Sequence, residues 1–199
     1  PQVREKAVEA FRSIGPQAVP SLAGVLKGAD PQARQAAIRS LSGIIPVQKD
    51  VVLIIVEALH GADPAAQQAA AATWSGLKAK IGRDVILALA DDLKHDKVDV
   101  RRKAAEALAK IRSVEKESLQ ALAAALKDSQ AVVRQKAADA LGAIGPEAAD
   151  AVPALAQALK DTEAGMRMKV ADALGSIGAK AHDAVPALEQ ALKDAEAGV

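Results

Sequence analysis

An arginine set between apolar residues and followed by a turn returns along this chain at a nearly fixed interval. A period near 33 residues restricts a chain to a stacked array of like units, each touching only its neighbours. The arginine slot falls at Arg4, Arg34, Gln67, Arg101, Arg134 and Arg167, with steps of 30, 33, 34, 33 and 33 residues. The clearest copy reads Val133-Arg134, Ala137-Ala138, Leu141 and Ile144-Gly145-Pro146. The copies run over residues 1–29, 30–62, 63–95, 96–127, 128–160 and 161–193, with the start of a seventh at 194–199. The 199 residues therefore read as one repeat domain rather than as one or two ordinary globular ones.

Within each copy, apolar residues stand at −1, +3, +4, +7 and +10 from the arginine, which is one face of an α-helix. The +7 slot holds Phe11, Leu41, Trp74, Leu108, Leu141 and Leu174, and the +10 slot holds Ile14, Ile44, Leu77, Ile111, Ile144 and Ile177. Both slots are expected in the core. Asp30-Pro31 and Asp63-Pro64 supply a capping carboxylate followed by proline at the first helical position. Gly15-Pro16, Gly145-Pro146 and Gly178 end the first helix, because glycine accepts the left-handed conformation that closes it. A second helix follows, with Val152, Leu155, Ala158 and Leu159 as its core positions in the fifth copy. Its closing leucine recurs at Leu26, Leu59, Leu93, Leu126, Leu159 and Leu192, followed in each copy by lysine or, at His60, histidine. Such a basic residue offsets the negative end of a helix. The first copy is three residues shorter between arginine and closing leucine, which predicts a tighter turn there. The pattern predicts an all-α fold, an α-solenoid of about six helix pairs.

Composition narrows the function. Only 1% of residues are aromatic, so the core is built from Ala, Leu, Val and Ile, and few rings are available to stack bases. Lys and Arg number 26 against 25 Asp and Glu, which leaves no whole-chain attraction to nucleic acid or to an anionic membrane. There is no cysteine, and hence no disulfide, thiolate nucleophile or thiolate metal ligand. No apolar run approaches the ~18–20 residues that span a bilayer, so no membrane insertion is expected. Phosphate-loop, G-x-S-x-G and H-E-x-x-H motifs are missing, and His60, His95 and His182 are not spaced as ligands. No catalytic residue, cofactor or metal is assigned, and the chain is read as a non-enzyme. The compartment stays open, with the cytoplasm favoured.

The phrases VRQKAADALGAIGPEAADAVPALAQALKD and MRMKVADALGSIGAKAHDAVPALEQALKD resemble the HEAT-like repeats of phycobilin lyases. The resemblance implies an α-solenoid whose second helices line a concave binding surface. It does not imply lyase chemistry, because fold does not fix function. Both ends cut the repeat at the same point without a polar capping unit, so the chain is expected to be part of a longer array, whose remainder is one possible partner.

The recurring arginines suit an inter-repeat hydrogen-bonding device better than a phosphate site. Functional signal is sought where the pattern falters, in copies two and three. There Gln67, Trp74 and Asp92 depart from their slots, and the second helices carry Leu53, Ile54 and Leu87 beside Glu57 and Asp91. An apolar spot edged by acid on a second-helix face is a candidate partner site. Leu53, Ile54, Glu57, Leu87 and Asp91 are accordingly the expected binding residues of a protein or peptide scaffold. The alternative is an accessory segment of an enzyme, such as a chromophore-lyase-like subunit, with the chemistry elsewhere.

Overall fold

A computed structural model describes residues 2–28 and 30–193; the start of a seventh copy at 194–199 lies outside these residues. The described residues form α-helices and short 3₁₀ segments, with no strand, in the helix-pair order of an α-solenoid. The first helices of the six copies are α1 (Gln2–Ile14), α3 (Pro31–Leu41), α5 (Pro64–Leu77), α7 (Val98–Ile111), α9 (Ala131–Ile144) and α11 (Ala164–Ile177). The second helices are α2 (Val19–Leu26), α4 (Lys49–His60), α6 (Arg83–Asp92), α8 (Lys116–Ala125), α10 (Val152–Ala158) and α12 (Val185–Ala191).

These helices group into two compact units, residues 1–85 and 86–199, divided within α6. In the first unit α3 lies between α1 and α5, while α2 packs on α3 and α4, and α4 packs on α5. In the second, α9 lies between α7 and α11, and the row α8, α10, α12 packs alongside. Within each unit a first helix thus packs on neighbouring first helices and on the second helix of the copy before, as α3 does on α1, α5 and α2 and α9 does on α7, α11 and α8, and the frequent alanines permit that close approach. On α9 the stripe predicted from spacing, Val133, Ala137, Ala138, Leu141 and Ile144, is buried. At Gly142 an added Cβ would lie 3.1 Å from the Cα of Ala173, so α9 and α11 are in near-backbone contact there.

The helix ends follow the local chemistry. Asp30 and Asp63 cap α3 and α5 by accepting from the backbone N–H of Gln32 and Ala65. Gly15, Gly145 and Gly178 turn the chain at φ of 76°, 79° and 69°, each opening a 3₁₀ segment. That segment has four residues in the first copy, Gly15–Ala18, and seven in copies five and six, which accounts for the shorter connection. In the fourth copy the same slot holds Arg112 at φ 55°, a left-handed conformation that an L-residue adopts only at a cost.

The core expectation is corrected at Ile14, Leu192, Trp74 and Phe11. Ile14 is 54% exposed, because no described residue covers that flank of α1. Leu192 is likewise exposed. Trp74 and Phe11 are half-buried, whereas Leu41, Leu108, Leu141 and Leu174 in the same slot are buried. A ring that fills a slot sized for leucine must project beyond it.

Candidate functional site

The arginine ladder is stacking hardware. Arg101 donates from Nε and Nη2 to the two carboxylate oxygens of Asp128 at 2.6 and 2.9 Å, and from Nη1 to the carbonyls of His95 and Asp96. Arg134 repeats this on Asp161 at 2.7 and 3.0 Å, with Nη1 on the carbonyl of Asp128. Arg34 holds Asp63 and the carbonyl of Gly28. Each aspartate also accepts a backbone N–H two residues on, from Gln130, Glu163 or Ala65. One carboxylate therefore orders the turn before its own copy's first helix and anchors the arginine of the preceding copy. Gln67 donates to the carbonyl of Gly61, in the turn before α5.

These carboxyls sit below the usual aspartate range. At Asp63 the bond from Arg34 is the main cause. At Asp128 and Asp161 burial pushes upward, but the bonds from Arg101 and Arg134, the turn N–H and the arginine charges together outweigh it. Arg34, Arg101 and Arg134 thus turn Nε and Nη groups to protein acceptors, which fits an inter-repeat clamp better than a phosphate site.

The expected binding residues divide between the two units. On α4, Leu53 and Ile54 are half-buried and Glu57 is exposed, while Val51, Val52, Ile55 and Val56 are buried as the core face. On α6, Leu87 is half-buried and Asp91 exposed, 3.5 Å from the Lys94 ammonium. Leu87 and Asp91 lie on the rim of a cavity of about 350 Å³ between α6 and α8, with Lys94, Glu117, Gln120 and Ala124. The cavity exists because Ala90, Ala121 and Ala124 leave room that longer side chains would fill. Sequence reading did not find Glu117 and Gln120, since they stand out only once α8 is seated beside α6.

The histidines serve local structure: His60 Nδ1 lies 2.9 Å from the Val56 carbonyl, and His95 Nδ1 accepts from the Lys97 N–H. Among the described residues no group of three His, Cys, Asp or Glu side chains is placed to hold a metal. No helix among them is long and apolar enough to cross a membrane.

Helix pairs joined between copies by the part-buried pairs Arg34–Asp63, Arg101–Asp128 and Arg134–Asp161 define an α-solenoid of the repeat-scaffold class. A family model described as HEAT repeats matches residues 52–141 and 119–199, well over half of the chain. The chain belongs to the HEAT-repeat family. No curated protein matches it. Among solved structures it is similar to a designed armadillo repeat protein in complex with the peptide (KR)4, at 20% identity and TM-score 0.52, over 90% of this chain and 93% of that one. It is also similar to a TOG domain of crescerin, described as regulating microtubules in the primary cilium, at 19% identity and TM-score 0.54, over 87% and 83%. These likenesses show the fold.

Proposed function

We propose that the chain is a non-enzymatic scaffold that binds protein or peptide segments on its second-helix faces. The observation that carries this is the cavity between α6 and α8, where half-buried Leu87 is rimmed by Asp91, Lys94, Glu117 and Gln120. An apolar anchor point within a polar rim is the usual anatomy of a recognition patch. Leu53, Ile54 and Glu57 on α4 present a second patch of the same kind in the other unit. Because the second helices are held by packing and by the clamps, the surface is preformed, and little ordering cost is added on association. A designed repeat protein of similar fold in complex with a peptide supports the reading. The comparisons lend nothing to an accessory role beside a chromophore lyase.

The test is selection of binding peptides from a random display library, followed by measurement with Leu53→Glu and Leu87→Glu. Half-exposed leucines on a binding face should leave helicity and melting unchanged when replaced, while affinity falls by about tenfold or more. Equal affinity in both variants, or unfolding of both, would remove these faces as the site.

A further inference from the structure

A second ladder runs along the first helices of unit two, on the surface between neighbouring copies. Lys136 on α9 pairs with Glu106 on α7 at 3.2 Å, and Lys169 on α11 pairs with Asp139 on α9 at 3.0 Å. In each pair the acid stands five residues after the arginine slot and the lysine two residues after the next. In unit one the corresponding positions of copies two and three are Arg39 on α3 and Ala69 on α5. The acid has become a base and the lysine has lost its length. A cleft of about 590 Å³ opens where the pair would lie, walled by Gln35, Arg39, Ser42, Gln68, Thr73 and Lys80 and floored by Ala69 and Ala72.

The residues that line the cleft include two cations, Arg39 and Lys80, and no acid. Among the described residues Lys80 makes no ion pair, and Arg12 adds a third cation at the α1 side, donating to the Arg39 carbonyl and to Ser42. Arg39 already seats one carboxylate, that of Glu5, on Nη1 at 3.1 Å, with both side chains about half exposed. Its Nε–H is shielded from solvent and has no acceptor. The Nε and Nη2 edge of a guanidinium takes a second carboxylate side by side, and a turn of this half-exposed side chain brings that edge to an incoming group.

We propose that this cleft is a binding site for an extended, carboxylate-bearing segment of a protein partner, separate from the second-helix faces. The charge of the walls selects acid, and Arg39 supplies a planar fork that matches a carboxylate. The space is far larger than a lone anion fills. The amides of Gln35 and Gln68 carry both donors and acceptors, which suits them to the peptide groups of a bound backbone.

Fluorescence polarisation with a labelled six-residue peptide alternating Glu and Ala tests this, with Gln-Ala and Lys-Ala peptides as controls. The acidic peptide should bind with an affinity that falls as salt rises, and the two controls should not bind. Lys80→Gln, which breaks no ion pair among the described residues, should weaken binding by about threefold. The double variant Arg39→Glu with Ala69→Lys installs the ladder pair of unit two in the cleft. It should stay folded and reduce affinity by about tenfold or more. Leu53→Glu and Leu87→Glu should leave this binding unchanged, so the two sites fail or stand independently. Equal binding by the Gln-Ala peptide, or by both cleft variants, overturns the proposal. Displacement of the peptide by inorganic phosphate as effectively as by unlabelled peptide overturns the assignment to a peptide segment.

Discussion

At the scale of the residue, the most consequential side chain is the aspartate that follows the closing leucine and lysine of a copy. Asp161 accepts two bonds from Arg134, 27 positions earlier, and one from the Glu163 N–H. Asp161→Ala leaves a largely buried guanidinium without its acceptor and removes the turn bond. A loss of about 1–3 kcal/mol is expected, read as a lower denaturant midpoint with unchanged slope. The arginine itself was legible as stacking hardware from its recurrence alone. Its acceptor was not, because the sequence places Asp128 and Asp161 beside a lysine, where each looks like half of a solvated surface pair.

At the scale of the element, helix boundaries were readable because they depend on neighbours along the chain: Asp-Pro at the start of α3 and α5, glycine at the end of α1, α9 and α11. Helix separation was not, and the glycine eight residues after the arginine slot shows the difference. Gly142 and Gly175 occupy that slot in copies five and six and look alike in the sequence. A Cβ on Gly142 would press on Ala173 at 3.1 Å to the backbone, whereas one on Gly175 meets nothing within 4 Å. Gly175→Ala should therefore raise stability by about 0.5–1 kcal/mol through helix propensity. Gly142→Ala should lower it, by about 1–3 kcal/mol, because α9 and α11 must separate. Thermal melts of the two variants beside the parent chain separate these outcomes in sign.

For the molecule as a whole, the clamps act together on pH dependence. Asp63, Asp128 and Asp161 have carboxyl pKa values lowered by folding, so they bind fewer protons folded than unfolded. Their contribution is fully present above the unfolded value of about 4 and is lost as pH falls through the folded values. Melting temperature should thus hold level above about pH 5 and decline below about pH 4. Asp128→Asn with Asp161→Asn should start lower at neutral pH and decline less steeply on acidification; parallel profiles would mean that other carboxylates set the acid limit. By itself the sequence determined the repeat, the helix count, the buried stripe of each first helix and the residues that stop it, because all of these follow from periodicity and from capping within a few residues. It also pointed to copies two and three as the place where the pattern breaks. Only the tertiary structure decided which aspartate meets which arginine, that Leu53, Ile54 and Leu87 are half-buried, and that Arg39 and Ala69 leave a cleft where a paired ladder would stand. Those facts depend on how closely one helix approaches the next, and that distance is set by side-chain volumes summed over two copies, which no local pattern encodes.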